Sequence, residues 1–128
     1  MSLLGPVDEV AARVDGNPLM LETAIRNLVA NAIAAVPRGG RVRVSLETIS
    51  ADLVVAVDDD GPGLGANAEA LFEPFRRGTA PADGIRGAGL GLAIARRVAI
   101  AHGGRLDPGT SQLGGARFAL SVPRTDQP

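Results

Sequence analysis

Apolar side chains recur at every third or fourth position in the first part of the chain, a spacing that predicts an amphipathic helix. The apolar stripe consists of Leu21, Ile25, Leu28, Ala32 and Val36. Asparagine is a favoured helix N-cap and proline fits the first helical position, so Asn17 and Pro18 mark the expected start. The sequence PRGG at 37–40 predicts the end of this helix.

The hydrophobic period then changes to that of β-strands. Residues 41–47 (RVRVSLE) alternate between polar and apolar side chains, which is typical of a half-buried strand. Residues 53–57 (LVVAV) form a continuous apolar run, which predicts a strand covered on both faces or nearly so. A turn at 50–52 separates the two strands, so we expect them to pair as a hairpin.

Residues 58–88 are rich in glycine and proline and show little periodicity. A loop of this length inside a compact domain is usually functional or disordered. We expect it to be interrupted only by a short helical turn at 69–72. A second helical stripe follows, through Leu90, Ile94, Val98 and Ala101.

Two glycines at 103–104 end this second helix, and residues 116–122 alternate again as a strand. The order of elements is therefore helix, two strands, long loop, helix, and one or two strands. This order predicts the α+β class, as a two-layer α/β sandwich in which helices cover one face of a mixed sheet. We expect a single domain over residues 1–128, in which residues 1–15 are a remnant N-terminal strand or a linker.

The composition excludes several kinds of chemistry. There is no cysteine, so the chain has no thiol nucleophile and no thiolate zinc site. All 13 basic residues are arginine, which excludes a P-loop lysine and a Schiff-base lysine. The net charge of −1 gives no general attraction to nucleic acid, and no apolar run reaches the length of a membrane span. No signal-peptide pattern is visible at the N-terminus, so we expect a soluble domain.

Two clusters in the first half of the chain carry candidate chemistry. Asn27 and Asn31 are four apart, so their carboxamides share one helix face and offer oxygen ligands to a cation such as Mg²⁺. The sequence DDDGPG at 58–63 follows the apolar strand; a buried carboxylate there can accept a hydrogen bond from an exocyclic amine, and the glycines allow close approach of a ligand. Taken alone, the first is also compatible with a solvated helix face and the second with an acidic turn.

Two further clusters precede the second helix or lead into it. The sequence LFEPFRRG at 71–78 places two phenylalanines beside two arginines, which suits a segment closing over a polyphosphate. The sequence GAGLGL at 87–92 leads into a helix, where glycine-rich amides can bind an anion. It does not complete the dinucleotide-binding G-x-G-x-x-G pattern, because position 92 is leucine and no strand precedes it.

The order and spacing of these clusters resemble the ATP-binding catalytic domain of bacterial sensor histidine kinases, within the GHKL ATPase superfamily. NLVANA resembles the N box, DDDGPG the G1 box, LFEPFRRG the F box and GAGLGLAIARRVAIAHGG the G2 box with its helix. GGARFALSVP resembles the closing strand. The resemblance covers residues 17–123.

The resemblance implies a role for each matching position. Asn31 would hold Mg²⁺ with Asn27 alongside, Asp59 would bind the adenine amine, and Arg77 would lie near the γ-phosphate. The flanking carboxylates, Asp58 and Asp60, are expected to be solvated. The expected nucleotide-contacting positions of the glycine boxes are Gly61, Gly63, Gly87, Gly89, Leu90, Gly91 and Leu92.

The resemblance also implies partners and a location. The γ-phosphoryl group of Mg–ATP would pass to a histidine on a separate dimerisation domain, and from there to the receiver domain of a response regulator. We expect the isolated domain to be a cytoplasmic monomer, and its parent to be a homodimer anchored in the bacterial membrane. His102, at a helix C-terminus, is expected to be structural, and residues 76–88 are expected to form a mobile lid.

Departures from the family pattern leave alternatives open. Ala34 and Ala35 stand where many members carry a basic residue and a tyrosine, so a degenerate domain that binds only a protein partner is one alternative. Gyrase-like and chaperone-like ATPases carry a glutamate four residues before the metal asparagine, where this chain has Asn27, which cannot be a general base. Anti-sigma-factor kinases, another alternative, generally lack an F box.

Overall fold

We analysed a computed structural model, which describes residues 2–4, 13–65, 68–73 and 90–125. In chain order the elements are β1 (Ser2–Leu4), α1 (Pro18–Ala35), β2 (Arg41–Ile49), β3 (Asp52–Asp59), a 3₁₀ helix (Ala68–Phe72), α2 (Gly91–Ala101), β4 (Arg105–Thr110) and β5 (Ala116–Pro123). These elements confirm the predicted α+β class. None of the helices in the described ranges has the length and apolar character needed to cross a bilayer.

The five strands form one mixed sheet in the order β1-β2-β3-β5-β4. The first strand pairs parallel with β2, and all other neighbours are antiparallel. The predicted hairpin of β2 and β3 is present, with Val44 opposite Val57. Helix α2 lies between β3 and β4 in the sequence, so β5 returns to the centre of the sheet and pairs directly with β3.

Helix α1 begins and ends where its sequence predicts. The Asn17 side chain accepts hydrogen bonds from the backbone N–H groups of Leu19 and Met20, and Pro18 occupies the first turn. The helix ends at Ala35, just before the PRGG segment. Its fully buried positions are Ala24, Leu28 and Ala32, with the larger members of the predicted stripe packed around them. This face covers the sheet.

The predicted apolar stripe of α2 is correct at Val98, which is buried, but wrong at two other positions. Ile94 is 39% exposed and Ala101 is also exposed, whereas Ala95 and Ala99 are completely buried. Two isoleucines of this helix, Ile94 and Ile100, are exposed, so the size of an apolar side chain does not identify the buried face. The helix packs through alanines because small side chains allow its backbone to approach α1 closely.

Strand β3 is longer than its apolar run. It continues through Asp58 to Asp59, so the following loop begins two residues later than predicted. Successive side chains alternate between the two faces of a sheet. Val55 and Val57 belong to the core under the helices, whereas Val54 and Ala56 are buried on the opposite face.

His102 joins the end of α2 to the start of α1. Its Nε2 accepts a hydrogen bond of 3.0 Å from the backbone N–H of Asn17. Nδ1 lies 2.8 Å from the carbonyl oxygen of Val98, so Nδ1 carries the proton and donates it. Both ring nitrogens are therefore engaged within the fold, which agrees with the expected structural role. A Cβ atom at Gly16 would lie 2.2 Å from His102 Cδ2, so glycine is required beside the ring.

Replacing Gly16→Ala should lower the free energy of unfolding by about 1–3 kcal/mol, because the new methyl group overlaps the imidazole. In a His102→Ala background the same substitution should be close to neutral. Urea denaturation of the two single variants and the double variant measures this coupling. Gly109→Ala is the matched control, since the nearest atom to its added Cβ is 4.0 Å away. An equal loss from Gly16→Ala in both backgrounds would contradict the contact.

Candidate functional site

Several chain segments meet where β3 ends. The turn after β3 lies against the C-terminus of α1, since a Cβ at Gly61 would be 2.6 Å from the carbonyl oxygen of Ala35. The start of β2 is held by a backbone hydrogen bond of 3.2 Å from Asp60 N–H to the Arg41 carbonyl. The start of β5 is held by a 3.0 Å hydrogen bond from Gly115 N–H to the Asp59 carbonyl. The acidic residues therefore lie at a junction of both layers.

Asp59 is a buried carboxylate, with 1% of its surface exposed. Its Oδ1 accepts hydrogen bonds from the backbone N–H groups of Gly61, at 2.9 Å, and Ala116, at 3.0 Å. It lies on the same face of β3 as Val55 and Val57, which is the face toward the helices. Two backbone donors thus fix this carboxylate at the rim of the core.

Glycine is needed around Asp59 for two different reasons. At Gly115, a Cβ would lie 2.2 Å from Asp59 Oδ1, so only glycine leaves room for the carboxylate. At Gly61, the obstructing atom is the Ala35 carbonyl oxygen. Gly63 has no atom within 4 Å of its virtual Cβ but has φ of +88°, a conformation that strains other residues. Packing explains two of these glycines and backbone conformation the third.

The expectation that Asp58 and Asp60 are solvated is wrong. Asp58 is 3% exposed, and its Oδ2 lies 3.2 Å from Arg117 Nη1. Asp60 is half-buried, and its Oδ1 accepts a 2.9 Å hydrogen bond from the N–H of Arg41. The reason is that β3 extends to Asp59, so Asp58 points to the opposite sheet face, where Arg117 is its partner in register.

Asn27 and Asn31 lie half-buried on α1. No side-chain hydrogen bond to either carboxamide is present in the described part of the chain. A Cβ at Gly91 would be 3.7 Å from the Cβ of Asn27, so the first turn of α2 packs against this residue. That turn has no side-chain cap at Leu90, which leaves its amide groups to other partners.

One face of α1 joins the two halves of the site. Asn27, Asn31 and Ala35 follow at intervals of four residues, so they lie along one side of the helix. The Asn27 end contacts the start of α2, and the Ala35 end contacts the turn that holds Asp59. Leu92 is buried in the core below α2, and Leu90 is half-buried.

The remaining predicted positions, Arg77, Gly87, Gly89 and the expected lid at 76–88, lie outside the described residues. The predicted turn at 69–72 is present as the 3₁₀ helix. Its Phe72 is buried edge-to-face against Phe118, with ring centroids 6.0 Å apart. Arg96 of α2 covers the other side of Phe72, with Cζ 4.3 Å from the ring centroid. The first two residues of the LFEPF motif are therefore anchored on the core.

The chain was compared with known proteins. A family model described as "Histidine kinase-, DNA gyrase B-, and HSP90-like ATPase" matches residues 16–126. The chain belongs to this family. The resemblance stated from the four boxes is thereby confirmed, and membership of this ATPase family implies ATP binding.

Three similar proteins illustrate the relationship. The sensor-like histidine kinase SenX3 of Mycobacterium tuberculosis is 41% identical over 113 residues, which cover 87% of this chain and 28% of SenX3. The ATP-binding domain of PrrB from M. tuberculosis superposes with a TM-score of 0.75 at 30% identity, over 97% of this chain and 82% of that domain. Full-length ShkA in complex with AMPPNP gives a TM-score of 0.79 at 27% identity, over 96% of this chain and 25% of ShkA. The chain thus spans about a quarter of the length of its curated relatives.

Sequence reasoning missed three residues at the start of β5. Gly115 leaves room for Asp59, Ala116 donates to it, and Arg117 pairs with Asp58. Only one signal in the sequence pointed to them, namely two glycines directly before an alternating strand. The distance of 57 residues between Asp59 and Ala116 hides the contact until the sheet order is known.

Gly115→Ala should weaken ATP binding by about 1–3 kcal/mol, because the added methyl group must displace the Asp59 carboxylate. Isothermal titration of the folded variant with Mg–ATP measures the effect. Gly109→Ala, on the neighbouring strand and without a close contact, should bind like the wild type. Wild-type ATP affinity in a folded Gly115→Ala protein would show that the Asp59 carboxylate is not part of the nucleotide site.

Proposed function

We propose that this chain is the nucleotide-binding half of a sensor histidine kinase, which binds Mg–ATP and presents the γ-phosphoryl group to a histidine on a separate dimerisation domain. The single observation that carries the proposal is the buried Asp59 carboxylate with Oδ1 held by two backbone amides. A fixed acceptor at the rim of a core suits recognition of a flat base. The nucleotide analogue in the similar ShkA structure supports the same reading.

Asp59 would recognise adenine through its second oxygen, Oδ2, which would accept a hydrogen bond from the base. Because Oδ1 is already occupied, the carboxylate cannot rotate freely to accommodate another base. The exocyclic amine of adenine donates a hydrogen bond to an acceptor, whereas guanine presents a carbonyl oxygen at the equivalent position. A hydrogen bond to a charged, desolvated carboxylate is stronger than one between neutral groups, so the site should prefer ATP to GTP.

The other end of the site suits the phosphates and their metal ion. Asn31, with Asn27 alongside, would supply oxygen to Mg²⁺, which typically takes one or two protein ligands and completes its shell with phosphate and water. The bound ion would neutralise phosphate charge. The uncapped first turn of α2, at Leu90 and Gly91, offers amides to the same phosphates. Arg77, Gly87 and Gly89 are assigned to phosphate contacts by their positions in the family motifs.

The identity of residue 27 favours transfer over hydrolysis. A carboxamide cannot take a proton from water, so Asn27 cannot act as a general base. An imidazole nitrogen of the partner histidine would instead attack the γ-phosphorus as the bond to ADP breaks. Catalysis would then rest on positioning and on charge stabilisation by Arg77 and by the Mg²⁺ that Asn31 and Asn27 hold. Neither the alternative of an anti-sigma-factor kinase nor that of a degenerate domain is favoured by the named relatives.

The proposal extends to the parent protein. The phosphohistidine would pass its phosphoryl group to an aspartate in the receiver domain of a response regulator. The parent would be a homodimer anchored in the bacterial membrane, with this domain in the cytoplasm and no role for nucleic acid. The histidine-bearing domain would be another part of the same parent protein.

Incubation with γ-labelled ATP tests the transfer. The isolated chain should remain unlabelled and release little phosphate, because its single histidine, His102, is engaged within the fold and Asn27 cannot activate water. Addition of the histidine-bearing dimerisation domain of its parent should give an acid-labile label on that partner. Stable label on His102, or rapid phosphate release by the chain alone, would contradict the proposal. A His102→Ala variant that transfers normally serves as the control.

Asn31→Ala should weaken ATP binding mainly when Mg²⁺ is present, because the substitution removes a ligand of the metal. We expect a rise in the dissociation constant of on the order of tenfold with Mg²⁺ and little change in EDTA. Titration calorimetry under both conditions measures the difference. Thr23→Ala, two turns earlier on α1, removes an exposed hydroxyl bonded within the helix and is the matched control. Equal losses with and without Mg²⁺ would argue against a metal role for Asn31.

A further inference from the structure

Asp58 is a buried carboxylate on the sheet face away from the proposed nucleotide site. Among the residues that the structure describes, only Arg117 pairs with it, through Nη1 at 3.2 Å from Asp58 Oδ2. Its Oδ1 is buried and has no hydrogen-bond partner within the described part of the chain. Burying a charged oxygen without a partner is unfavourable, so an acidic residue at this position needs an explanation that sheet packing does not supply.

The ion pair occupies the end of a β-ladder. The pairing of β3 with β5 runs from Asp52 opposite Pro123 to Asp58 opposite Arg117. Asp59 follows immediately and has no partner in this ladder, although it pairs with Val42 in the ladder of β2 and β3. Beyond the Asp58–Arg117 pair, β3 and β5 are joined only through Asp59, whose carbonyl oxygen accepts the N–H of Gly115 and whose Oδ1 accepts that of Ala116, within the described part of the chain. The ends of a β-ladder open most readily. The stability of a hydrogen bond beyond the last residue pair therefore depends on how stably that pair, Asp58 and Arg117, is held together.

Successive residues tie the same two strands together on opposite faces. Asp58 and Arg117 pair on the outer face of the sheet, and Asp59 and Ala116 pair on the face toward the helices. Because residues adjacent along the backbone share a rigid peptide plane, a shift of Arg117 relative to Asp58 moves the Ala116 amide relative to Asp59. The outer ion pair therefore acts on the inner hydrogen bond through two peptide units.

We propose that Asp58 and Arg117 are positioning residues for Asp59, and that their ion pair sets how strictly the site selects adenine. They touch no nucleotide, since they lie on the other face of the sheet. This inference rests on the proposed function, because it assigns Asp59 as the adenine acceptor. Glu47 also approaches Arg117, with 3.9 Å between Oε1 and Nη2, but its side chain is 55% exposed, and an exposed pair of this kind contributes little.

Two measurements on the full chain test the proposal, one without nucleotide and one with it. In the nucleotide-free protein, the amide signals of Gly61 and Ala116 should shift and exchange faster in Asp58→Ala, whereas that of Gly114 should not. With nucleotide, the ratio of the dissociation constants for GTP and ATP should fall about fivefold in Asp58→Ala, within the range known for coupled neighbours. Glu47→Ala removes the same charge from the same network and should leave both readouts unchanged.

Further variants separate a positioning role from a general loss of stability. Arg117→Lys keeps the charge opposite Asp58 and should retain most of the selectivity. The double variant Asp58→Ala with Arg117→Ala should resemble Asp58→Ala alone, since the two residues act as one unit. Asp59→Asn shows the full loss of selectivity for comparison. If Asp58→Ala does not fold, the isosteric Asp58→Asn variant is measured in its place. Its ratio of dissociation constants for GTP and ATP should also fall, by a smaller factor, and its Gly61 and Ala116 amide signals should shift less.

The outcomes are distinguishable. Unchanged selectivity and unchanged Gly61 and Ala116 amides in a folded Asp58→Ala or Asp58→Asn protein overturn the positioning role. A lower melting temperature with unchanged selectivity also overturns it, because it shows a structural role only. A wild-type chain that binds neither nucleotide, or binds both equally, overturns the proposed function instead, and the amide signals then still report whether the ion pair positions Asp59.

Discussion

The two backbone hydrogen bonds to Asp59 Oδ1 are the interaction on which the rest of the site depends. One donor, Gly61, lies in the turn just after β3, and the other, Ala116, lies at the start of β5. A single carboxylate oxygen therefore closes the turn and joins strands that are distant in sequence. The arrangement also explains the neighbouring small residues, because the carboxylate and the crossing backbones leave no room for a Cβ at Gly115 or Gly61.

Local signals along the chain predicted most of the fold. Asn17 and Pro18 fixed the start of α1, the alternation of residues 41–47 located β2, and the apolar run at 53–57 located the middle of β3. Prediction failed for part of the α2 stripe, because a bulky aliphatic residue, Ile94, lies on the exposed side of the helix while alanines lie on its buried side. Its buried face follows from the need for close helix packing, which only the tertiary arrangement reveals.

The site was predictable where its residues are neighbours in sequence and hidden where they are not. Asn27, Asn31, Asp59 and Gly61 belong to short motifs, and their predicted roles come from the resemblance of those motifs to the family. The contributions of Gly115 and Arg117 depend on β5 lying beside β3, a pairing across a long connection. The same sheet order reverses the expectation for Asp58: a carboxylate in an apparent acidic turn is buried because β3 continues through it.

Helix α1 sets the distance between the two ends of the site. From Asn27 to Ala35 is eight residues, or about 12 Å at the usual rise along a helix. The backbone hydrogen bonds of α1 make this separation rigid, so the proposed nucleotide site would select its ligand by length as well as by base. Adenosine alone could reach only one end, whereas a nucleoside triphosphate is long enough to engage both. Insertion of one residue between Asn31 and Ala35 would rotate the two ends by about 100° and place them on different sides of the helix. In the proposed site, the spacing along this helix would therefore determine specificity as much as any side chain on it.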